Sequence, residues 1–597
     1  MAALHFVQKL GTMAQGYDQR ARGMGQTLIQ WVRRSVVGMM LAAALPALVQ
    51  SADYAGPYLA GRVAGVQGDF GALAEFHARA LSKDPQNVQI LASLVQAYVA
   101  LGQFDRAATV GKVLEAQGAV SQSARIAILA SLAAKPDFTQ IEARINDGKG
   151  VGSLINHLVG AWALYGMGEV QAARTALARP ATDPAVAQIS QLHLAYLHAL
   201  DGDYDAALQV LDNTDGGNIV RDPRAALAKA QILSANGQGN AALDFASQWL
   251  GGTPVGQAFI RDLQSGARPE FTMLGSPRDA MAEVFFTIAA ALADEDAGEL
   301  ALGFANAALH IRPDLTDAQL VQADILLKMD SPLRAAESFA KVPRQHPSFF
   351  QAELGRIEAL IAADDIDGAL QAYDGLTIDF AQNAQLWLAK GDLLRRENRF
   401  ADAISAYNLA VSLQSADDGR AWYAYYVRGI ARERAGQWGD AEQDLRKAIG
   451  LFPQNAHALN YLGYSLIIQD QNLDEALDLI RKAVNLAPNN GYILDSLAWG
   501  LYRLGQADAA VAYMEKAAEI LPTDPVINDH LGDILWAVGR KREAHFHWRR
   551  ALSFITDETD LNEVSPDNLR DKLQYGQRAE LAPKPVVQKI PAPKARP

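Results

Sequence analysis

From Leu386 to Leu413 the chain reads LWLAKGDLLRRENRFADAISAYNLAVSL. Apolar residues recur every three to four positions, stop at Glu397–Arg399 and then resume. This pattern predicts two amphipathic helices, A and B, joined by a tight turn. The pattern returns in phase along the chain. Ala301, Ala335, Ala369 and Ala403 are spaced by 34 residues, and Ala441, Ala476, Ala510 and Ala544 follow at 38, 35, 34 and 34. Seven residues after most of these anchors comes another small residue: Ala308, Ala410, Ala448, Ala483, Ala517 and Ala551. Twelve residues before, helix A carries Ala289, Ala323, Gly391, Gly429, Ala498 and Gly532. Twelve residues after, a proline closes the unit at Pro313, Pro347, Pro453, Pro488 and Pro522. Helices that cross closely need small side chains at the crossing, and proline cannot continue the hydrogen-bond ladder of helix B. A single such hairpin cannot bury its apolar face, so the copies must stack.

The amino-terminal half keeps the period more loosely. Leu73 and Ala107 are 34 apart, Ala173, Ala207 and Ala242 follow at 34 and 35, and Gly68, Gly102, Gly168, Gly202 and Gly237 mark turns between A and B. The gap from Ala107 to Ala173 leaves room for one degenerate unit around 122–148. The gap from Ala242 to Ala301 holds SGARPEFTMLGSPRD (265–279), a joint or an insertion with its own contacts. The expected organisation is a leading segment (1–52), a degenerate array (53–260), the joint (261–280), a regular array (281–555), a capping helix (556–581) and a Pro/Lys tail (582–597). The capping helix is expected to start at Ser565, with Pro566 in its first turn.

These residues resemble the tetratricopeptide repeat (TPR) family. Trp387, Gly391, Ala403 and Ala410 match its framework, as do Gly429, Gly436, Trp438, Ala441, Ala448 and Pro453, then Ala498, Gly505, Ala510, Ala517 and Pro522, and finally Gly532, Gly539, Ala544 and Ala551. The resemblance implies an all-α solenoid of about fourteen stacked hairpins, with the A helices lining the inner curve of a long trough. It also implies a non-enzymatic scaffold for protein or peptide partners. By phase, the residues of the groove are Arg395, Tyr423, Tyr426, Arg434, Asn460, Tyr464, Tyr492, Asp495, Trp499, Tyr502, Arg503, Asp529, Asp533 and Trp536. Aromatic residues and arginine suit partner surfaces. Trp499, Tyr502 and Trp536 could instead pack between neighbouring A helices. The asparagine–lysine–arginine clamp with which some TPR domains hold a carboxylate tail is not matched. An acidic, aromatic groove favours a basic or apolar segment.

Composition narrows the function. The formal net charge of −13 argues against a general nucleic-acid binder. Arg33 and Arg34 precede an uncharged run, Val36–Val49, with small residues beyond, which reads as an export signal. Fourteen residues span about 21 Å as a helix, short of the roughly 30 Å hydrocarbon core. The expected location is therefore the bacterial periplasm after cleavage, with translation starting at Met1 or Met24. The alternative is an inner-membrane tether through 36–49, on a factor for assembly or export of an outer-membrane component or polysaccharide. With no cysteine there is no thiolate metal site and no cysteine nucleophile. His545 and His547 point to different faces of a helix, and Gly237–Gly239 joins helix to helix where a dinucleotide loop would join strand to helix. No catalytic, cofactor or metal residues are assigned, and oligomeric state is not specified by the sequence.

Overall fold

The computed structural model describes residues 52–179, 184–213, 222–293, 297–415, 419–556, 559 and 564–577. The Val36–Val49 run, the arginines before it and the tail 582–597 lie outside the described residues. The chain divides into two compact units, Met1–Ala372 and Tyr373–Pro597.

The first unit opens with six hairpins: α1–α2 (Ala52–Val66, Phe70–Leu81), α3–α4 (Val88–Ala100, Phe104–Ala116), α5–α6 (Gln122–Ala134, Phe138–Asn146), α7–α8 (Ser153–Gly166, Val170–Ala178), α9–α10 (Pro184–Leu200, Tyr204–Asn213) and α11–α12 (Pro223–Ala235, Gly239–Trp249). A single helix, α13 (Pro254–Gln264), follows. Then come α14–α15 (Pro277–Leu292, Gly298–Ile311), α16–α17 (Thr316–Lys328, Pro332–Phe339) and α18–α19 (Phe349–Ala362, Ile366–Asp379), with the division between units falling inside α19. The second unit holds α20–α21 (Ala384–Arg396, Phe400–Ser412), α22–α23 (Trp422–Arg434, Trp438–Leu451), α24–α25 (Ala456–Ile468, Leu473–Leu486), α26–α27 (Gly491–Arg503, Ala507–Ile520), α28–α29 (Pro525–Ala537, Lys541–Phe554) and a closing helix, α30 (Pro566–Tyr575). The expected all-α array of stacked hairpins is thus present, with fourteen pairs among the described residues.

Local chemistry fixes the ends of each hairpin. Asn87, Asn383, Asn455 and Asn490 cap A helices, their side chains accepting from backbone amides of the first turn. Most A–B turns hold one left-handed residue. It is glycine in most, but Asp330, Asp364, Asn398 and Asp470 take the role with φ between 52° and 62°. Small residues stand where A meets B. A Cβ on Gly463 would lie 2.6 Å from Ile480 Cγ1 and 2.8 Å from the Ala476 carbonyl oxygen. Backbone cannot yield as a side chain can, so Gly463→Val is expected to cost about 1–3 kcal/mol, measured as a lowered denaturation midpoint of the second unit.

The first unit departs from an open trough. Hairpin α14–α15 packs against the A helices α3, α5 and α7 on the side where partners were expected to lie. Helix α15 is apolar almost all round: Ala301, Leu302, Phe304, Ala305, Ala307, Ala308 and Ile311 are buried. A helix of that kind belongs inside a core. Its one buried polar residue of note, Asn306, donates from Nδ2 to the carbonyls of Val99 and Ala100 at 2.8 and 3.0 Å. Those carbonyls end α3, where Val99 O also accepts from the Gly102 amide at 3.0 Å and Ala100 O from Arg334 Nη2 at 2.5 Å. Segment 265–276 ties the hairpin in. Thr272 exchanges two hydrogen bonds with the Gln231 side chain (3.0 and 3.1 Å), and Arg312 donates to the Met273 carbonyl at 2.9 Å. The expectation that every A helix lines a free groove therefore fails for α3, α5 and α7, because the chain's own hairpin fills that face.

Candidate functional site

The second unit leaves its A helices less covered, and all fourteen sequence-derived groove residues lie on α20, α22, α24, α26 and α28. They divide into two sets. The first set holds neighbouring A helices together through acids paired with donors about one repeat later. Asp392 accepts from Tyr423 Oη at 3.0 Å and from Tyr407 Oη at 2.7 Å, with Arg395 at 3.6 Å. Tyr461 Oη donates to Glu433 at 3.0 Å, and Arg503 to Asp470 at 2.6 Å. Asp495 pairs with His530 Nδ1 at 2.8 Å, and Trp499 stacks on the same ring at 3.8 Å between centroids.

The last rung closes the array. Lys572 of α30 donates to Asp529 at 2.6 Å and to Asp533 at 2.9 Å, while Trp548 Nε1 donates to Asp533 at 3.0 Å. Beyond α30, Gly576 lies so close to Trp536 that a Cβ would be 2.3 Å from the indole, and Gln577 Nε2 donates to Tyr502 Oη at 2.9 Å. Asp495, Tyr502, Asp529 and Asp533 are accordingly buried, and Trp499, Arg503 and Trp536 half-buried. The groove's acids thus spend their charge on internal partners.

The second set stays closer to solvent. Tyr492 is 49% exposed, Arg434 is exposed, and Tyr464 and Asn460 are half-buried. Tyr426 is half-buried in edge contact with Tyr461, and burial pushes its phenol up to about 12. Asn460 carries a buried Oδ1 without a hydrogen-bond partner. Ile468 ends the α24 stripe 47% exposed. The open part of the face is therefore a tyrosine-rich strip on α22, α24 and the start of α26.

The sequence-derived set omits His530, Lys572, Asp392, Glu433 and Tyr461. Their signal was an acid in one helix A and a donor 28 to 35 residues later, as in Glu433–Tyr461 and Asp495–His530. Lys572 stands outside the repeat phase and gave no such signal.

His530 gives the site a pH dependence. Burial pulls its imidazolium down, but Asp495, bonded to it, with Asp529 and Asp533 nearby, more than offsets this and holds the pKa above the ordinary 6.5. A folded pKa above the unfolded one stabilises fully below about 6.5, and the contribution is lost as pH rises through the folded value. Burial also pushes the Asp533 carboxyl up, to about 6, with Lys572 opposing; that contribution has the same sign but fades at lower pH. The denaturation midpoint of the second unit is therefore expected to fall as pH is raised above 6.5, and His530→Gln should flatten that slope in urea titrations at pH 6 to 9.

Among the described residues, no group of His, Asp and Glu is arranged to hold a metal ion, and no helix is long and apolar enough to cross a membrane. The tetratricopeptide repeat family model matches residues 320–384, 358–421 and 426–491. A TPR repeat-containing protein of Pseudomonas aeruginosa is 28% identical over 201 residues, 34% of this chain and 33% of the relative, so the match spans about a third of that relative's length. Among solved structures, the Cut9–Hcn1 heterotetramer of APC/C aligns over 88% of this chain and 97% of its own at 13% identity and a TM-score of 0.34. A tetratricopeptide repeat protein from Parabacteroides merdae aligns over 43% and 97% at 16% identity and a TM-score of 0.35. With the 34-residue hairpins, their small-residue crossings and the family match agreeing, residues 320–491 are tetratricopeptide repeats.

Proposed function

We propose that this protein is a non-enzymatic scaffold that holds an extended or helical segment of a partner protein on the A-helix face of its second unit. TPR arrays serve as protein-interaction scaffolds, and the first unit has filled the equivalent face with its own hairpin. The carrying observation is the strip formed by Tyr426, Asn460, Tyr464 and Tyr492, which keeps exposed aromatic surface while the surrounding acids are neutralised. Rigid aromatics give large contact area at small entropic cost. Neutralised acids turn the preference away from a strongly basic segment towards an apolar or mixed one.

The proposed location is the periplasm, from the Arg33-Arg34 and Val36–Val49 pattern. An intact mass shorter by about the first fifty residues, in a periplasmic fraction, supports export; an unprocessed cytosolic protein defeats it. A membrane fraction with full mass supports the tethered alternative. The binding reading is tested by cross-linking capture from intact cells. Tyr426→Ala with Tyr464→Ala is expected to weaken the captured partner by about 30-fold or more, as two interface tyrosines would. Tyr513→Ala, on helix α27, should leave it unchanged. Equal capture by all three proteins contradicts the reading.

A further inference from the structure

We propose that the resident occupant of the second unit's A-helix strip is the segment 578–597 of the same chain, which partners must displace. The inference rests on the reading of that strip as the binding surface.

The first support is where the described chain leaves off. Past α30, Gly576 takes φ 75° and lies flat on Trp536, a place only a residue without a side chain can take. Gln577 is then held by two hydrogen bonds with Tyr502, at 2.9 and 3.2 Å. Trp536 and Tyr502 sit on the A helices α28 and α26, so the chain is delivered onto the A-helix side at the closed end of the strip. A capping helix needs neither contact to cover α29.

The second support is reach. Segment 578–597 has twenty residues, five of them proline. At about 3.1 Å per residue such a segment covers roughly 60 Å. Neighbouring A helices lie about 10 Å apart, so α24 and α22 are well within range of Gln577.

The third is complementarity. Leu581, Val586, Val587 and Ile590 alternate with prolines, the kind of preordered apolar strip that aromatic-lined grooves accept. The segment carries five basic residues and one acid, whereas residues 373–577 carry 29 acids against 21 bases. Because the groove acids are internally paired, this charge difference acts as a long-range bias. The contacts themselves are apolar, to Tyr464, Tyr426 and Ile468.

The chain has no native cysteine, so engineered pairs report cleanly. In the full chain, Ala592→Cys is combined with His457→Cys on the exposed A-side of α24, or with Glu519→Cys on α27, and treated with a short bis-maleimide. The 457–592 pair is expected to close at least tenfold faster than the 519–592 pair; equal rates overturn the proposal. A synthetic peptide of residues 578–597 is then titrated against the full chain and against a full-length chain whose last twenty residues are Gly/Ser. A tethered segment acts at an effective concentration near millimolar, so the peptide should bind the Gly/Ser chain at least tenfold more tightly than the native one. No binding to the Gly/Ser chain, or equal binding to both, also overturns it. If the peptide fails while partner capture still depends on Tyr426 and Tyr464, only the resident-occupant proposal falls. If the peptide binds while capture ignores those tyrosines, the partner surface lies elsewhere and the occupant remains.

Discussion

Arg224→Met is expected to destabilise the first unit by about 3–5 kcal/mol, the usual cost of removing one partner from a buried ion pair. Arg224 begins α11 and bonds Glu283 of α14 in fork geometry, Nε to Oε1 at 2.5 Å and Nη2 to Oε2 at 2.7 Å. It also pairs with Asp317 of α16 and lies 4.9 Å over the Phe286 ring. Glu283 is only 3% exposed. Without the guanidinium its carboxylate stays in the core beside Tyr196, with no water to replace the lost bonds. Asp317 is far more exposed and should contribute little. The mutation should show as accelerated amide exchange in α11, α14 and α16, the elements that seat the filling hairpin. Arg224→Met with Glu283→Leu should recover most of the loss, since an apolar replacement of the whole pair is often neutral. If the single variant exchanges like the parent, Arg224 does not hold the hairpin.

Lys572→Met is expected to be as damaging to the second unit. It strands Asp529 and Asp533, both buried, beneath a helix whose anchoring Leu569 is fully buried. The expected loss is again about 3–5 kcal/mol at neutral pH, read as exchange in α28 to α30. At pH near 4 the Asp533 carboxyl, which burial pushes up to about 6, takes a proton and the deficit should shrink. Asp529→Asn with Asp533→Asn in the same background should do so at every pH. A deficit that ignores both treatments would mean that packing, and not the stranded charge, holds α30.

These two residues show where the sequence was readable and where it was not. The 34-residue period, the A–B turns and the closing prolines were legible because each depends on a local rule: a small side chain at a crossing, a left-handed turn residue, a missing amide. Ser565 and Pro566 marked the start of α30 for the same reason. The filling of the first unit was not legible, since it depends on contacts about 200 residues apart, such as Asn306 with Val99. A partial signal existed: from Ala301 to Ile311 only Asn306 and His310 are polar, too few for a helix with a solvent face. At the site, phase assigned Tyr426, Asn460, Tyr464 and Tyr492 to A helices, and they lie on α22, α24 and α26. Phase could not show that Asp495, Asp529 and Asp533 face their own donors, because an acid beside a groove and an acid beside a neighbouring helix occupy the same register.

The central claim is that the A-helix face is filled in the first unit and available in the second. Cysteine labelling compares them directly in the full chain. Ala100, 4% exposed at the end of α3, lies under α15, and Ile468, 47% exposed, ends α24 at the corresponding place in its repeat. With a maleimide probe in native buffer, Ile468→Cys is expected to react within about tenfold of a free thiol, even with a tethered segment competing. Ala100→Cys should react at least about a thousandfold more slowly, and only through opening of the first unit. Comparable rates at the two positions would contradict the account.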